Sequence, residues 1–265
     1  FFTLYKVIKL MMYHAALWIR TFAPFFNVIH YVSFRVMAAL LTSLSLSLIF
    51  GPWFIALSGK FFRSKVRAYT PESHQIKNDM PTMGGIFIIM TVLTSALLWT
   101  NLKNPQVWIV LLCMMMFAGI GLLDDVKKIK YKRGINSKTK FLLQLCAAVI
   151  TLFFWWLSGT LSTDICIPFF KQYAPHLGIL FFAWAGFIIV GSSNAVNLTD
   201  GLDGLAIGSL IVNFGTYAVI TYLAGHQKLA EYLHIPFVGT SELSIISSAL
   251  VGASLGFLWY NTYPA

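Results

Sequence analysis

Val107-Trp108-Ile109-Val110-Leu111-Leu112-Cys113-Met114-Met115-Met116-Phe117-Ala118-Gly119-Ile120-Gly121-Leu122-Leu123-Asp124-Asp125 is the stretch that decides the architecture. From Val107 to Leu123 it carries no charge, and as a helix rising 1.5 Å per residue it approaches the roughly 20 residues that cross a hydrocarbon core of about 30 Å. A surface helix of a soluble domain would set its apolar stripe against a charged face. This run stays apolar on every side until it meets two adjacent carboxylates and a basic stretch holding Lys127, Lys128, Lys130, Lys132, Arg133, Lys138 and Lys140.

Outward from it the pattern recurs. Apolar runs bounded by charge or by Gly/Pro lie near Phe34 to Leu57, Pro81 to Thr100, Phe141 to Leu157, Gly178 to Ser193, Leu205 to Ala224 and Leu243 to Tyr260. The expected fold is an all-α, polytopic transmembrane helix bundle of about seven spans, forming one membrane domain over residues 34–265. Composition agrees, because 58% of residues are hydrophobic and only 11% are charged, roughly half the charged share of a soluble domain. Residues 1–33 are apolar and aromatic but interrupted by Lys6, Lys9 and Arg20, the composition of an N-terminal interfacial or periplasmic segment.

The net charge of +10 bears on topology rather than on nucleic acid, and no nucleic-acid partner is expected. Lys60, Arg63, Lys65, Arg67 and Lys77 share one side with the Lys127–Lys140 stretch, while the other side holds few cations. By the positive-inside rule these two loops are cytoplasmic. Cys113 and Cys146 lie in apolar runs and Cys166 stands alone, so no disulfide framework is expected. No zinc-ligand spacing, phosphate loop, dinucleotide fingerprint or nucleophile elbow occurs.

Three clusters carry chemistry, all on the side assigned to the cytoplasm. Asp124 and Asp125, about 100° apart on a helix, can flank a cation and a reacting oxygen, or can be solvated end charges paired with Lys127 or Lys128. In Asn194-Ala195-Val196-Asn197-Leu198-Thr199-Asp200-Gly201-Leu202-Asp203-Gly204, a helical reading puts Asn197, Asp200 and Asp203 on one face, where like charges need a cation or donor between them. The alternative is a Gly-rich turn. Lys77-Asn78-Asp79-Met80-Pro81-Thr82-Met83-Gly84-Gly85 suits a helix start whose free N–H groups receive a phosphate, with Lys77 beside it.

Together with Phe257-Leu258-Trp259-Tyr260-Asn261-Thr262-Tyr263-Pro264-Ala265, these motifs resemble the phospho-N-acetylmuramoyl-pentapeptide transferase family, within the polyprenyl-phosphate N-acetylhexosamine-1-phosphate transferases. The resemblance implies transfer of phospho-MurNAc-pentapeptide from UDP-MurNAc-pentapeptide to undecaprenyl phosphate, with Mg²⁺, giving lipid I and UMP. It implies Asp124, Asp125 and Lys128 as catalytic, with Asp124 and Asp125 at the metal. It implies Lys77, Thr82, Lys140, Asn197, Asp200, Asp203 and Asn261 as substrate-binding. It also implies a homodimer in contact with membrane lipids of the bacterial cytoplasmic (inner) membrane, its active site facing the cytoplasm. The family runs on past its Asn-x-x-Pro-Ala segment into another carboxylate, a histidine-rich motif and more helices, about ten spans in all. The chain is therefore expected to be incomplete at its C-terminus, and possible inactivity goes with that. The alternatives are a sister transferase moving another N-acetylhexosamine phosphate, an ion-coupled carrier, or a truncated noncatalytic chain. Carriers place their acids near the bilayer midplane, whereas these lie at span ends.

The orientation is testable in intact cells. A cysteine placed at Ser137 should resist a membrane-impermeant thiol reagent while one at Gln172 reacts; the reverse labelling would overturn the topology.

Overall fold

A computed structural model describes residues 12, 13, 15, 24–61, 84–165, 175–201 and 204–261. After a short 3-10 turn, Pro24–His30, come α1 (Val32–Phe61), α2 (Gly84–Trp99), α3 (Pro105–Tyr131) and α4 (Ser137–Leu157), then α5 (Leu180–Thr199), α6 (Leu205–Ala224), the short α7 (Gln227–Leu233) and α8 (Glu242–Asn261). Six of these are long and apolar enough to cross a membrane, and the shorter apolar α2 makes up the seventh expected span. Among the described residues there is no sheet, only an isolated antiparallel bridge between Asp164 and His176. Cys113 and Cys146 are free.

The helices alternate in direction, so α1, α3, α5 and α8 end where α2, α4 and α6 begin. Half of the apolar window of α8 is buried inside the chain, against 28% or less for the other long spans, which makes α8 the axis. It packs along α1 and also against α6 and α2, while α3, α4 and α5 follow one another as an outer row. Its seam with α1 is built from small residues. Ala39, Ser43, Ser47 and Gly51 recur every fourth position on α1, and a Cβ on Gly252 would collide with the Leu40 carbonyl and the Ser43 hydroxyl, one on Gly256 with Ser47. Lipid offers no hydrophobic drive between helices, so such close backbone approach supplies the association.

Both ends of the seam are pinned. At the far end, Arg35 on α1 meets Glu242 on α8 through two hydrogen bonds of 2.8 and 2.7 Å. Arg35 also donates to the Trp99 carbonyl, while the Asn101 N–H donates to Glu242. This fork-to-fork geometry satisfies charges that are costly to bury unpaired. At the other end Pro52 lies inside α1. Proline has no N–H, so the carbonyl four residues back loses its helical donor. That carbonyl is Leu48, and the Tyr260 hydroxyl of α8 donates to it at 2.8 Å. Gly51 leaves room for the tyrosine ring.

Three sequence expectations change. The third span does not stop at its carboxylates, because α3 continues through Lys127, Lys128 and Lys130 to a left-handed cap at Lys132 (φ 55°). Asp124 and Asp125 are therefore helical residues, not end charges; their i,i+3 and i,i+4 partner Lys128 supports the extra turns. The shared face of Asn197 and Asp200 does not form either, since α5 ends at Thr199 and Asp200 is its cap at ψ 59°. The loop after α6 contains the unforeseen α7. Most of the N-terminal segment 1–33 lies outside the described residues, but its buried Tyr13 stacks over Arg35 at 4.3 Å.

The Pro52 repair generates a double-mutant cycle. Tyr260→Phe should lower thermal stability by about 1–3 kcal/mol, the cost of an orphaned carbonyl. In a Pro52→Ala background, where a helical N–H returns, the same change should cost under about 0.5 kcal/mol. Equal losses in both backgrounds would show that the Leu48 carbonyl is not what Tyr260 serves.

Candidate functional site

The ends of α2, α3, α4, α5, α6 and α8 enclose a cavity of about 710 Å³. Each helix delivers its residues by a local device. Asn136 caps α4, its side chain accepting the Lys138 N–H, and Lys140 follows one turn later. Gly204 begins α6 with φ 80°, a left-handed conformation that suits glycine. A Cβ added at Gly204 would stand 3.4 Å from Leu258 Cδ1, so the start of α6 lies close against α8. Gly84 at the start of α2 leaves space that the Phe257 ring fills.

Five sequence-chosen residues meet at this cavity: Asp125, Lys140, Asn197, Asp200 and Asn261. Asp124 and Lys128 adjoin them without lining it. Asp124 is only 6% exposed. Its Oδ1 accepts the Ile135 N–H at 2.8 Å, and its Oδ2 pairs with Lys128 Nζ at 2.8 Å and Lys140 Nζ at 3.6 Å. Lys128 also reaches Asp125 Oδ1 at 3.2 Å. Lys140 extends across to Asn197 Oδ1 at 3.4 Å, so one ammonium joins α3, α4 and α5. Lys77, Thr82 and Asp203 lie outside the described residues.

Sequence reasoning missed Gln144. It is buried on α4 and lines the cavity one turn beyond Lys140. Its Oε1 accepts from Asn194 Nδ2 at 2.8 Å and its Nε2 approaches Ser193 Oγ at 3.4 Å. The signal was available: a glutamine in an apolar helix, four residues after a candidate lysine, shares that lysine's face and needs partners in a membrane. Gln144 with Asn194 and Lys140 with Asn197 thus make two polar rungs between α4 and α5.

The cavity lining also has an apolar part, formed by Ile88, Phe117, Ile120, Ile207, Leu210 and Phe257. Such a cavity matches an anionic head on an apolar chain. Its donors toward a metal are carboxylate and amide oxygens from Asp125, Asp200 and Asn197, and no group of three or more His, Cys, Asp or Glu occurs among the described residues. A hard ion such as Mg²⁺ fits this set, since it binds through one or two carboxylates and keeps the remaining positions for water and substrate phosphates.

Comparison with known proteins agrees with this chemistry. Residues 107–265 match the family described as glycosyl transferase family 4. The chain is 45% identical over 260 residues to the phospho-N-acetylmuramoyl-pentapeptide-transferase of Geobacter sp. (strain M21), covering 96% of this chain and 72% of that protein. It is 45% identical over 261 residues to the protein of the same name from Aquifex aeolicus (strain VF5), again covering 96% and 72%. The Syntrophus aciditrophicus (strain SB) protein of that name is 44% identical over 259 residues.

Proposed function

We infer the reaction from one premise: the chain belongs to glycosyl transferase family 4, among its phospho-N-acetylmuramoyl-pentapeptide transferases. It is a multi-pass membrane transferase that moves phospho-MurNAc-pentapeptide from UDP-MurNAc-pentapeptide to undecaprenyl phosphate, giving lipid I and UMP. An oxygen of the lipid phosphate forms a bond to the sugar-bearing phosphorus, and the bond from that phosphorus to the UMP oxygen breaks. The observation that carries the reading is the cavity itself, where Asp125, Lys140, Asn197, Asp200 and Asn261 converge beside an apolar wall.

Both reactants are anionic, so the first task of these residues is to offset repulsion. Lys140, with Lys128 close by, supplies fixed positive charge where negative charge accumulates on the leaving UMP. Asn197 and Asn261 offer amides for the nucleotide. Asp125 would hold Mg²⁺, which when bound would neutralise phosphate oxygens and stabilise the departing phosphate, while Asp200 would serve the binding of the nucleotide. A phosphate monoester has its second pKa near 6, so at neutral pH the attacking oxygen carries its charge without a base. The apolar wall suits the first part of the polyprenyl chain.

The same reading includes a homodimer in the bacterial cytoplasmic membrane, bathed in lipid, with the cavity facing the cytoplasm where a UDP-linked sugar is soluble. The cations Lys127, Lys130, Lys132, Arg133 and Lys138 at the cavity end support that orientation.

UMP release from UDP-MurNAc-pentapeptide, measured with and without undecaprenyl phosphate, tests the reading. Chelation should abolish turnover and Mg²⁺ restore it. Asp125→Asn should lower kcat by about a hundredfold while KM for the UDP substrate stays within about threefold, the pattern of a lost transition-state interaction. Asp200→Asn should act mainly on KM. Lipid-independent UMP release, or equal loss of binding and turnover at both positions, would contradict the assignment.

A further inference from the structure

The connection from α3 to α4 runs from Lys132 to Asn136 and is fixed at both ends, by the left-handed cap at Lys132 and by the Asn136 cap of α4. Between them the chain folds back on α3, so that the Ile135 N–H reaches Asp124 Oδ1 at 2.8 Å, eleven residues away. Gly134 sits at the point of closest approach. It is not among the positive-φ glycines, so its backbone conformation is open to any residue. What demands glycine there is space: a Cβ would stand 2.6 Å from Asp124 Oδ1, 3.4 Å from its Cγ and 3.3 Å from Lys128 Cε.

A carboxylate held by one oxygen has its other oxygen aimed. With Oδ1 on the backbone, Asp124 Oδ2 points to Lys128 at 2.8 Å and to Lys140 at 3.6 Å. Those two ammoniums stand next to the cavity residues Asp125 and Asn197, at 3.2 and 3.4 Å. Exposed lysines are long and mobile, and a lone surface pair orders them weakly. Asp124, by contrast, is buried, and its backbone bond is made within a capped turn.

We propose that the Gly134–Ile135 turn is a positioning element for the phosphate site: its backbone N–H locks Asp124, and Asp124 in turn sets Lys128 and Lys140 beside the reacting phosphates. Gly134 and Asp124 are then positioning residues that act through two lysines. The consequence for turnover rests on the transferase reading above; the lock itself does not.

The purified full-length protein in detergent tests both parts. Hydrogen exchange of peptides spanning 132–137 should be slow in the wild type and at least about tenfold faster in Asp124→Ala, with α8 peptides unchanged, because only a closed hydrogen bond protects that amide. Asp124→Asn keeps a carbonyl oxygen for the Ile135 N–H and should retain most of the protection while losing the lysines. Gly134→Ala should lower kcat by about a hundredfold, the scale of a 1 Å misplacement, with KM within about threefold and the thermal midpoint within about 2 °C of wild type. Gly119→Ala, where a Cβ meets nothing, should leave all three quantities alone. Equal exchange in wild type and Asp124→Ala, or wild-type kcat in Gly134→Ala, would overturn the proposal. A wild type that exchanges as expected but transfers nothing would count against the transferase reading instead.

Discussion

Leu48 has a carbonyl with no helical donor, because Pro52 occupies the position that should supply one. A backbone carbonyl freed in this way needs another donor. The Tyr260 hydroxyl provides it. That one bond fixes the last turn of α8 against α1 and thereby the placement of its neighbours, Phe257 filling the space at Gly84 and Asn261 facing the cavity. The small-residue seam and the Arg35–Glu242 pair hold the remainder of α8 in register. The cavity depends on this axis because α2 and α6, which form two of its walls, pack against α8.

The charges divide the molecule into two kinds of end. At the far end Arg35 and Glu242 are buried and paired by two hydrogen bonds, with further bonds to the Trp99 carbonyl and from the Asn101 N–H, an arrangement that holds helices together. At the cavity end two acidic residues share two lysines at distances from 2.8 to 3.6 Å, with Lys128 half exposed. Asp125, part-exposed and paired with the half-exposed Lys128, can exchange that ammonium for a cation or a phosphate-bound ion at small cost, while buried Asp124 keeps its two lysines. The first end therefore stabilises and the second is free to bind.

Hydropathy made the seven spans legible, because an uncharged run near 20 residues has few other uses. The boundaries were less legible where charge was read as an end. Lys127, Lys128 and Lys130 are good helix formers, and Lys128 pairs with Asp124 at i,i+4 and with Asp125 at i,i+3, so α3 outruns its apolar segment by eight residues, Val107–Leu123 against an end at Tyr131, or about 12 Å. The reverse held at Asp200, where a regular three-residue spacing suggested a helix that stops one residue earlier. Asp125, Lys140, Asn197, Asp200 and Asn261 were readable because each belongs to a motif. Gln144 belongs to no motif and offers only a weaker signal, its place four residues after Lys140 in an apolar helix, while its partner Asn194 lies fifty residues away. The roles of Gly134 and Tyr260 depend on space and on a freed carbonyl, which no spacing reveals.

The central claim is that one cavity, between the ends of six helices, receives the diphosphate of the sugar donor. A cryo-electron microscopy structure of the protein with UDP-MurNAc-pentapeptide and Mg²⁺ tests it most directly. The account predicts density for the diphosphate within hydrogen-bonding reach of Lys140 and bridged by a metal to Asp125, with the uridine toward Asn197 and Asn261. A substrate bound elsewhere while this cavity stays empty would contradict it.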